Sequence, residues 1–248
     1  MHMALDHWLL EQHRLGQGRP LLRFYHWQPA AISLGYHQRR WPERWRSLSH
    51  ALPHPASGNS PQPLAIVRRP TGGRAVLHQG DLTYSLIASG FIGSRAQVYR
   101  QVCEFLIQGW ASLGVPLGFG QAGRGYIHNP DCFGTATAAD LVTPGGAKLI
   151  GSAQLWRAGH LLQQGSMRLN PDPALLQQVF GQVDALPQLP PGLTEGQIIA
   201  ALTTAAGACF QVEFAERQLT SGELAAVAAL ADSFRLPLGS ESESLIKP

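Results

Sequence analysis

Apolar residues recur along this chain in two rhythms. In "MHMALDHWLLEQ", Leu5, Trp8 and Leu9 fall at helical spacing and predict an opening helix that ends at Gly16 and Gly18. "PLLRFYHWQPAAISLGYHQ" carries apolar and aromatic runs split by Pro29, which predicts two strands and a turn. "LAIVRRP" predicts a short strand. In the stretch after it, the alternation of Leu82, Tyr84 and Leu86 predicts a half-buried strand. From Gln97 to Leu113 the rhythm turns helical, with Val98, Val102, Phe105, Leu106, Gly109 and Leu113 on one face and Gly114 as a stop. "AKLIGSAQLWRAGHLLQQGSMRL" predicts two strands about a turn near Arg157–Gly159. Beyond Asn170 the pattern is helical in pieces. Thr194 with Gln197, and Thr220 with Glu223, stand at capping-box spacing, so each pair predicts a helix start.

Between these elements lie two irregular stretches. Residues 47–63 are rich in Ser, Pro, His and Gly and read as a surface loop. "FGQAGRGYIHNPDCFGTA" is glycine-rich and reads as another. The tail from Gly239 reads as frayed. The order of helix, strands, long helix, strands, helices does not alternate regularly. It predicts an α+β fold with a mixed, largely antiparallel sheet flanked by helices. The chain reads as one unit over residues 1–248, with a helical segment from about residue 172 to 238 packed on it.

Composition narrows the class. With 44% hydrophobic and 14% charged residues, a globular fold is favoured over disorder. The formal charge of +3 comes almost wholly from arginine, since Lys148 and Lys247 are the only lysines. Such a modest excess suits an acidic protein partner and does not call for nucleic acid. Three widely spaced cysteines, Cys103, Cys132 and Cys209, indicate neither a disulfide framework nor a zinc site, and suggest reduced thiols in the cytoplasm. No stretch is long and apolar enough to span a membrane.

The candidate chemistry lies in three places. "GGRAVLHQGDLTYS" raises the question of what approaches Gly72 and Gly73 closely enough to exclude a side chain. One answer is a turn after Pro70; the other is a ligand against bare backbone. No Gly-Lys-Ser/Thr follows, so the glycines are not a P-loop. Arg68 and Arg69 beside them either bind an anion or are solvated, and His78 is either a core histidine or a site residue at the mouth of a sheet with Asp81. Cys103 and Cys209 fall within helices and read as structural. Cys132 sits in a glycine-rich loop and is either idle or a nucleophile, needing a nearby cation to raise its thiolate fraction. Lys148 heads a strand that reads as facing inward, and is either the candidate cation or a surface lysine just after a hairpin turn.

Three segments in order, "LRFYHWQPAAISLGYHQ", "RRPTGGRAVLHQGDLTYS" and "AKLIGSAQLWRAGHLLQQGSM", resemble the lipoate–protein ligase, octanoyltransferase and biotin–protein ligase superfamily. Where ATP-dependent lipoate ligases carry a third glycine, this chain has Arg74. Gln79 follows His78, and the strand ends in Leu-Thr-Tyr-Ser. That variant is similar to the cysteine-dependent octanoyltransferases of the LipM type. The resemblance implies a sheet and helices like those of biotin synthetases and class II aminoacyl-tRNA synthetases. It assigns the nucleophile to Cys132, within the Cys132–Phe133 pair, and the catalytic lysine to Lys148. It implies a substrate site drawn from Tyr36, Arg69, Gly72, Gly73, Arg74, Leu77, His78, Gly151, Ser152 and Ala153. It implies octanoyl transfer from acyl carrier protein to a lysine of a lipoyl domain, in a 2-oxoacid dehydrogenase E2 or the glycine cleavage H protein, with no cofactor and no metal. Family members usually carry a further strand ahead of the segment matched by "MALD", so either a shortened start or a different sheet edge is expected here. The alternatives are an ATP-dependent ligase for lipoate, octanoate or biotin, an amidotransferase between lipoyl-bearing proteins, and a binding protein without the chemistry.

Overall fold

The opening helix packs on a sheet that its own sequence neighbours help to build. A computed structural model of the 248-residue chain describes residues 1–48, 52–53, 61–62, 64–120, 139–181, 183 and 185–236. Helix α1 (His2–Arg14) is followed by β1 (Leu21–Tyr25), β2 (Ala31–Leu34), the short α2 (Arg44–Leu48), and two-residue strands β3 (Leu52–Pro53) and β4 (Pro61–Gln62). Then come β5 (Ala65–Arg68), β6 (Val76–His78), β7 (Asp81–Ser89), α3 (Arg95–Ser112), β8 (Gly118–Phe119), β9 (Asp140–Val142), β10 (Lys148–Arg157) and β11 (His160–Arg168). Helices α4 (Pro173–Phe180), α5 (Glu195–Phe210) and α6 (Ser221–Leu230) follow.

The strands form a six-stranded sheet ordered β1-β7-β11-β10-β9-β8 and a three-stranded sheet ordered β5-β2-β6. Only β2 and β5 run parallel; the other described pairings are antiparallel. The fold is therefore α+β with a mixed, largely antiparallel sheet, as the element order implied. β1 stands at the edge of the larger sheet. The two strands flanking Pro29 form as expected but enter different sheets, which opens a space between the sheets.

Local chemistry accounts for the ends of the elements. Ser94, Thr194 and Thr220 each close a reciprocal capping box, with Gln97, Gln197 and Glu223, at the heads of α3, α5 and α6. The β10–β11 hairpin turns at Ala158 and Gly159, both left-handed at φ 45° and 82°, the two-residue turn that matches strand twist.

Strand β7 departs from its expected half-buried character: residues 81–87 are all buried. Leu82, Tyr84 and Leu86 face α3 and join the main core with Val98, Val102, Phe105 and Leu106. On the opposite face, Ile87 meets Leu9 and Leu10 of α1, with Leu162 beside it. A central strand with a helix layer on each face has no wet side. The C-terminal helices take part in this packing, because Ile198, Leu202 and Ala206 of α5 lie in the α3 core. A second core lies on the small sheet, where Ile32, Leu34, Ile66 and Leu77 pack on Trp45 and on Leu175, Leu176 and Val179 of α4.

Candidate functional site

A cleft of about 270 Å³ lies between the two sheets. Met3 of α1, Tyr25, Trp27 and Val76 supply much of its apolar wall, and Thr83, Gly151, Ala153, Gln164 and Ser166 of the central strands also line it. Alternation within β6 decides which residues face in. Val76 and His78 line the cleft with Ser33 of β2, whereas Leu77 pairs with Ile32 and points into the second core.

The glycine turn is explained from within the chain. The Nε and Nη2 of Arg69 donate to the Gly72 carbonyl at 3.0 and 2.7 Å, and Nη2 also donates to the Arg74 carbonyl at 2.6 Å. Its Nη1 donates to the carbonyl and hydroxyl of Ser33, at 2.9 and 3.1 Å. Arg69 is buried, so the solvated alternative does not hold for it. Arg68 donates to the carbonyls of Gly35, Tyr36 and Gln38. Gly73 is left-handed at φ 92°, and a Cβ there would stand 2.7 Å from Arg69 Nη2. A Cβ on Gly35 would stand 1.9 Å from the Gly73 carbonyl oxygen. At Gly72 no described atom lies within 4 Å of such a Cβ, so the surrounding chain gives no reason for that glycine.

His78 sits in a buried relay. Its Nδ1 is 2.8 Å from Asp81 Oδ2, its Nε2 is 2.8 Å from Ser33 Oγ, and the Trp27 ring stacks on it at 4.2 Å. Asp81 Oδ2 also accepts from Ser166 Oγ at 2.7 Å and Thr83 Oγ1 at 3.1 Å. Burial pushes the Asp81 carboxyl up, but the His78 charge and these hydrogen bonds outweigh it and hold the group below its ordinary value. Farther in, Gln164 accepts from Thr71 Oγ1 at 2.8 Å and donates to the fully buried Asp6 at 2.6 Å.

Lys148 is buried and its Nζ is 2.8 Å from Asp140 Oδ1. The pairing of β10 with β9 is irregular here: Lys148 faces Val142 and Ile150 faces Leu141, two residues against one. This bulge reverses the alternation and brings Lys148 to the same face as Gly151. A Cβ on Gly151 would lie 3.1 Å from Lys148 Cε and 3.3 Å from Nζ. Lys148 itself does not line the cleft; its amine lies directly behind the wall, against Gly151 and Asp140, both of which do. Among the described residues no cluster of His, Cys, Asp and Glu could hold a metal ion, and no helix is long and apolar enough to cross a membrane.

A family model for the lipoyl protein ligase A/B catalytic domain matches residues 1–189. The chain belongs to that lipoyl ligase family. It is 38% identical to Octanoyltransferase LipM of Kyrpidia tusciae over 186 residues, 71% of this chain and 64% of that protein. It is 36% identical to Octanoyltransferase LipM of Symbiobacterium thermophilum over 194 residues, 75% of this chain and 67% of that protein. The chain therefore spans only about 64% of the first of these relatives. The T. acidophilum protein Ta0514, solved with lipoic acid bound, shares the fold at TM-score 0.72 and 22% identity, over 93% of this chain and 88% of that one.

Of the residues expected in the site of this lipoyl ligase family member, Arg69, Gly73, His78, Gly151, Ser152 and Ala153 line one cleft. Leu77 faces the second core, and Tyr36 is 48% exposed with its ring edge-on to His37, so neither is a wall. Gly72 and Arg74 belong to the turn beside the cleft and do not line it. Cys132 and Phe133 lie outside the described residues, as do most of the 47–63 loop and the tail from Gly239. Cys103 is buried on the core face of α3, and burial pushes its thiol up to about 12. Sequence reasoning passed over Asp140, Trp27 and Ser33. Trp27 was legible as the aromatic of "YHWQP"; Asp140 and Ser33 carry no local signal, because only strand pairing brings them to Lys148 and His78.

Proposed function

We propose that this chain is an octanoyltransferase acting through a cysteine thioester. Cys132 thiolate attacks the thioester carbonyl of octanoyl-acyl carrier protein, its Sγ–C bond forms, and the carrier thiol leaves with a proton. The lysine amine of a lipoyl domain then attacks the octanoyl carbonyl, the amide bond forms, and Cys132 is released as the thiol. Thioester to amide is downhill, so no nucleotide is required. Lys148 keeps the thiolate ionised and orients the carbonyl oxygen in this reading, with Gly73, His78, Gly151, Ser152 and Ala153 shaping the substrate site and Arg69 bracing it. Gly72 and Arg74 form the adjoining turn.

The observation that carries the proposal is the buried Lys148 amine held against Gly151 and Asp140, two residues of the cleft wall. Cys132 precedes the lining residue Ala139 by seven positions, a tether of at most about 25 Å. The cleft lies near the lower end of ordinary ligand pockets, which run from about 300 Å³ upward. It suits a short acyl chain, whose burial against Trp27, Tyr25 and Val76 would contribute roughly 5 kcal/mol at about 0.8 per CH₂. The relatives named octanoyltransferase support the same chemistry, and the excess of arginine suits acidic carrier and lipoyl domains. The helical segment from about residue 172 to 238 belongs to the same catalytic unit in this reading, supported by the packing of α5 in the α3 core. The reading places the protein in the cytoplasm, where both partners would be met.

Intact-mass spectrometry tests this. Mixing with octanoyl-carrier protein in the absence of ATP should give a hydroxylamine-labile adduct of one octanoyl group, absent from Cys132→Ala. Transfer that requires free acid and ATP would instead identify a ligase, and an adduct that persists in Cys132→Ala would remove the cysteine from its role.

A further inference from the structure

The Lys148–Asp140 pair joins the first residue of β10 to the first residue of β9. Asp140 opens β9, and its own backbone is pinned: its carbonyl accepts from Gly120 N at 2.8 Å, and it pairs in register with Gly151 of β10. One residue earlier, the Tyr99 hydroxyl donates to the Ala139 carbonyl and reaches the Ser152 carbonyl at 3.3 Å. The carboxylate therefore hangs from a fixed strand end rather than from a loop. Both side chains are withdrawn from water, at 5% for Asp140 and 4% for Lys148, so neither charge can exchange its partner for solvent. Gly151 supplies the room. Its missing Cβ is the surface along which the last carbon and the amine of Lys148 lie.

We infer that Asp140 is the positioning residue of Lys148, aiming its amine along Gly151 into the cleft wall, and that Gly151 is glycine to leave that path open. This rests on the acyl-transfer reading only in taking Lys148 as the amine that meets the reacting carbonyl. Asp140 lines the cleft, and in this account its effect on the reaction runs through Lys148. A lysine chain has several rotors, so loss of the carboxylate loosens the amine's direction, and a misplacement on the order of 1 Å costs about 100-fold in rate.

The test measures octanoyl transfer from carrier protein to lipoyl domain for the full chain and three variants, alongside thermal unfolding. Asp140→Asn should lower kcat about 100-fold while leaving KM for the carrier protein within about twofold. Asp140→Glu, which restores the charge, should recover most of that loss. Gly151→Ala keeps both charges and crowds the end of the Lys148 side chain most closely; it should lower kcat about tenfold. An Asp140→Asn variant that folds and keeps wild-type kcat overturns the inference, as does failure of Asp140→Glu to recover any rate. Should Asp140→Asn not fold, Gly151→Ala decides alone, and an unchanged kcat there overturns the inference. Absence of transfer by the wild-type chain would instead overturn the acyl-transfer reading.

Discussion

Arg69 lies inside the glycine turn, with its Nε and Nη2 both donating to the carbonyl of Gly72. The fork also reaches the carbonyls of Arg74 and Ser33 and the Ser33 hydroxyl, so every N–H of the guanidinium has a protein acceptor. This is a brace, and it brings His78's partner Ser33 into line with the turn. Arg69→Lys would supply three donors without the planar fork. Each buried carbonyl left without a donor costs about 1–3 kcal/mol. Urea denaturation of Arg69→Lys should show a loss of that order, with activity falling in parallel. Unchanged stability with lost substrate affinity would mean that Arg69 serves the ligand and not the turn.

Gly165 faces Tyr84 across the β11–β7 pairing and Ser152 across the β11–β10 pairing. A Cβ at Gly165 would stand 2.3 Å from Tyr84 Cε1 and 2.6 Å from Ser152 Oγ. Tyr84 is fully buried, bonded to Ser152 Oγ at 2.8 Å and Gln163 Nε2 at 2.7 Å, so its ring cannot swing aside. Gly165→Ala should destabilise the fold by about 1–3 kcal/mol, the usual cost of overpacking. Adding Tyr84→Leu should cost less in that background than in the wild type. Simple additivity in the double-mutant cycle would show that the two residues do not collide.

How far these features were legible in the sequence depends on their range. Helix heads at Thr194 and Thr220, the turn at Arg157–Gly159 and the α3 face from Val98 to Leu106 are encoded within a few residues, and spacing recovers them. Family resemblance pointed to His78, Gly73 and the Gly151–Ala153 strand, which the fold gathers at one cleft. Leu77 was misplaced because a three-residue strand gives too little alternation to choose a face. Lys148 was picked out as a rare lysine, yet its acidic partner was not, since only the β9–β10 register brings Asp140 beside it. The burial of β7 on both faces was hidden for a similar reason: Thr83 and Ser85 look solvent-facing until their acceptors, Asp81 and Asp6, are in place.

The three thiols should separate by reactivity. Burial pushes Cys103 up to about 12, and it also raises Cys209, which is only partly buried and donates to Gln108 Oε1 at 3.4 Å. Neither is a competent thiolate at neutral pH. Limited iodoacetamide treatment of the native protein should therefore modify Cys132 first and abolish transfer, while a Cys103→Ala, Cys209→Ala double variant keeps both the acyl adduct and its reactivity. Adduct formation that follows Cys209 would sink the assignment of the nucleophile.

His26 ties the cleft wall to the C-terminal helices, since its Nε2 is 2.7 Å from Glu195 Oε1 at the head of α5 and its Nδ1 is 2.8 Å from the Asp81 carbonyl. Burial lowers the imidazole's affinity for a proton, but the Glu195 bond, the Asp81 carbonyl and their charges outweigh it and leave it above its ordinary value. A folded-state value above the unfolded one means the tie stabilises fully below the unfolded value, about 6.5, and is lost as pH rises through the folded one. Burial and the Arg23 charge push the neighbouring His2 down to about 4, and Asp81 is held below the ordinary carboxyl value, so neither changes charge in this window. With 41% and 43% of the two side chains exposed, the effect is screened and should stay under about 1 kcal/mol. The measurement is the urea midpoint of wild type minus that of Glu195→Gln, taken at about pH 5.5 and about pH 8.5. The difference should be positive on the acid side and shrink on the alkaline side. A difference that is constant across the two would mean that His26 keeps one charge state throughout and that the tie is an ordinary hydrogen bond.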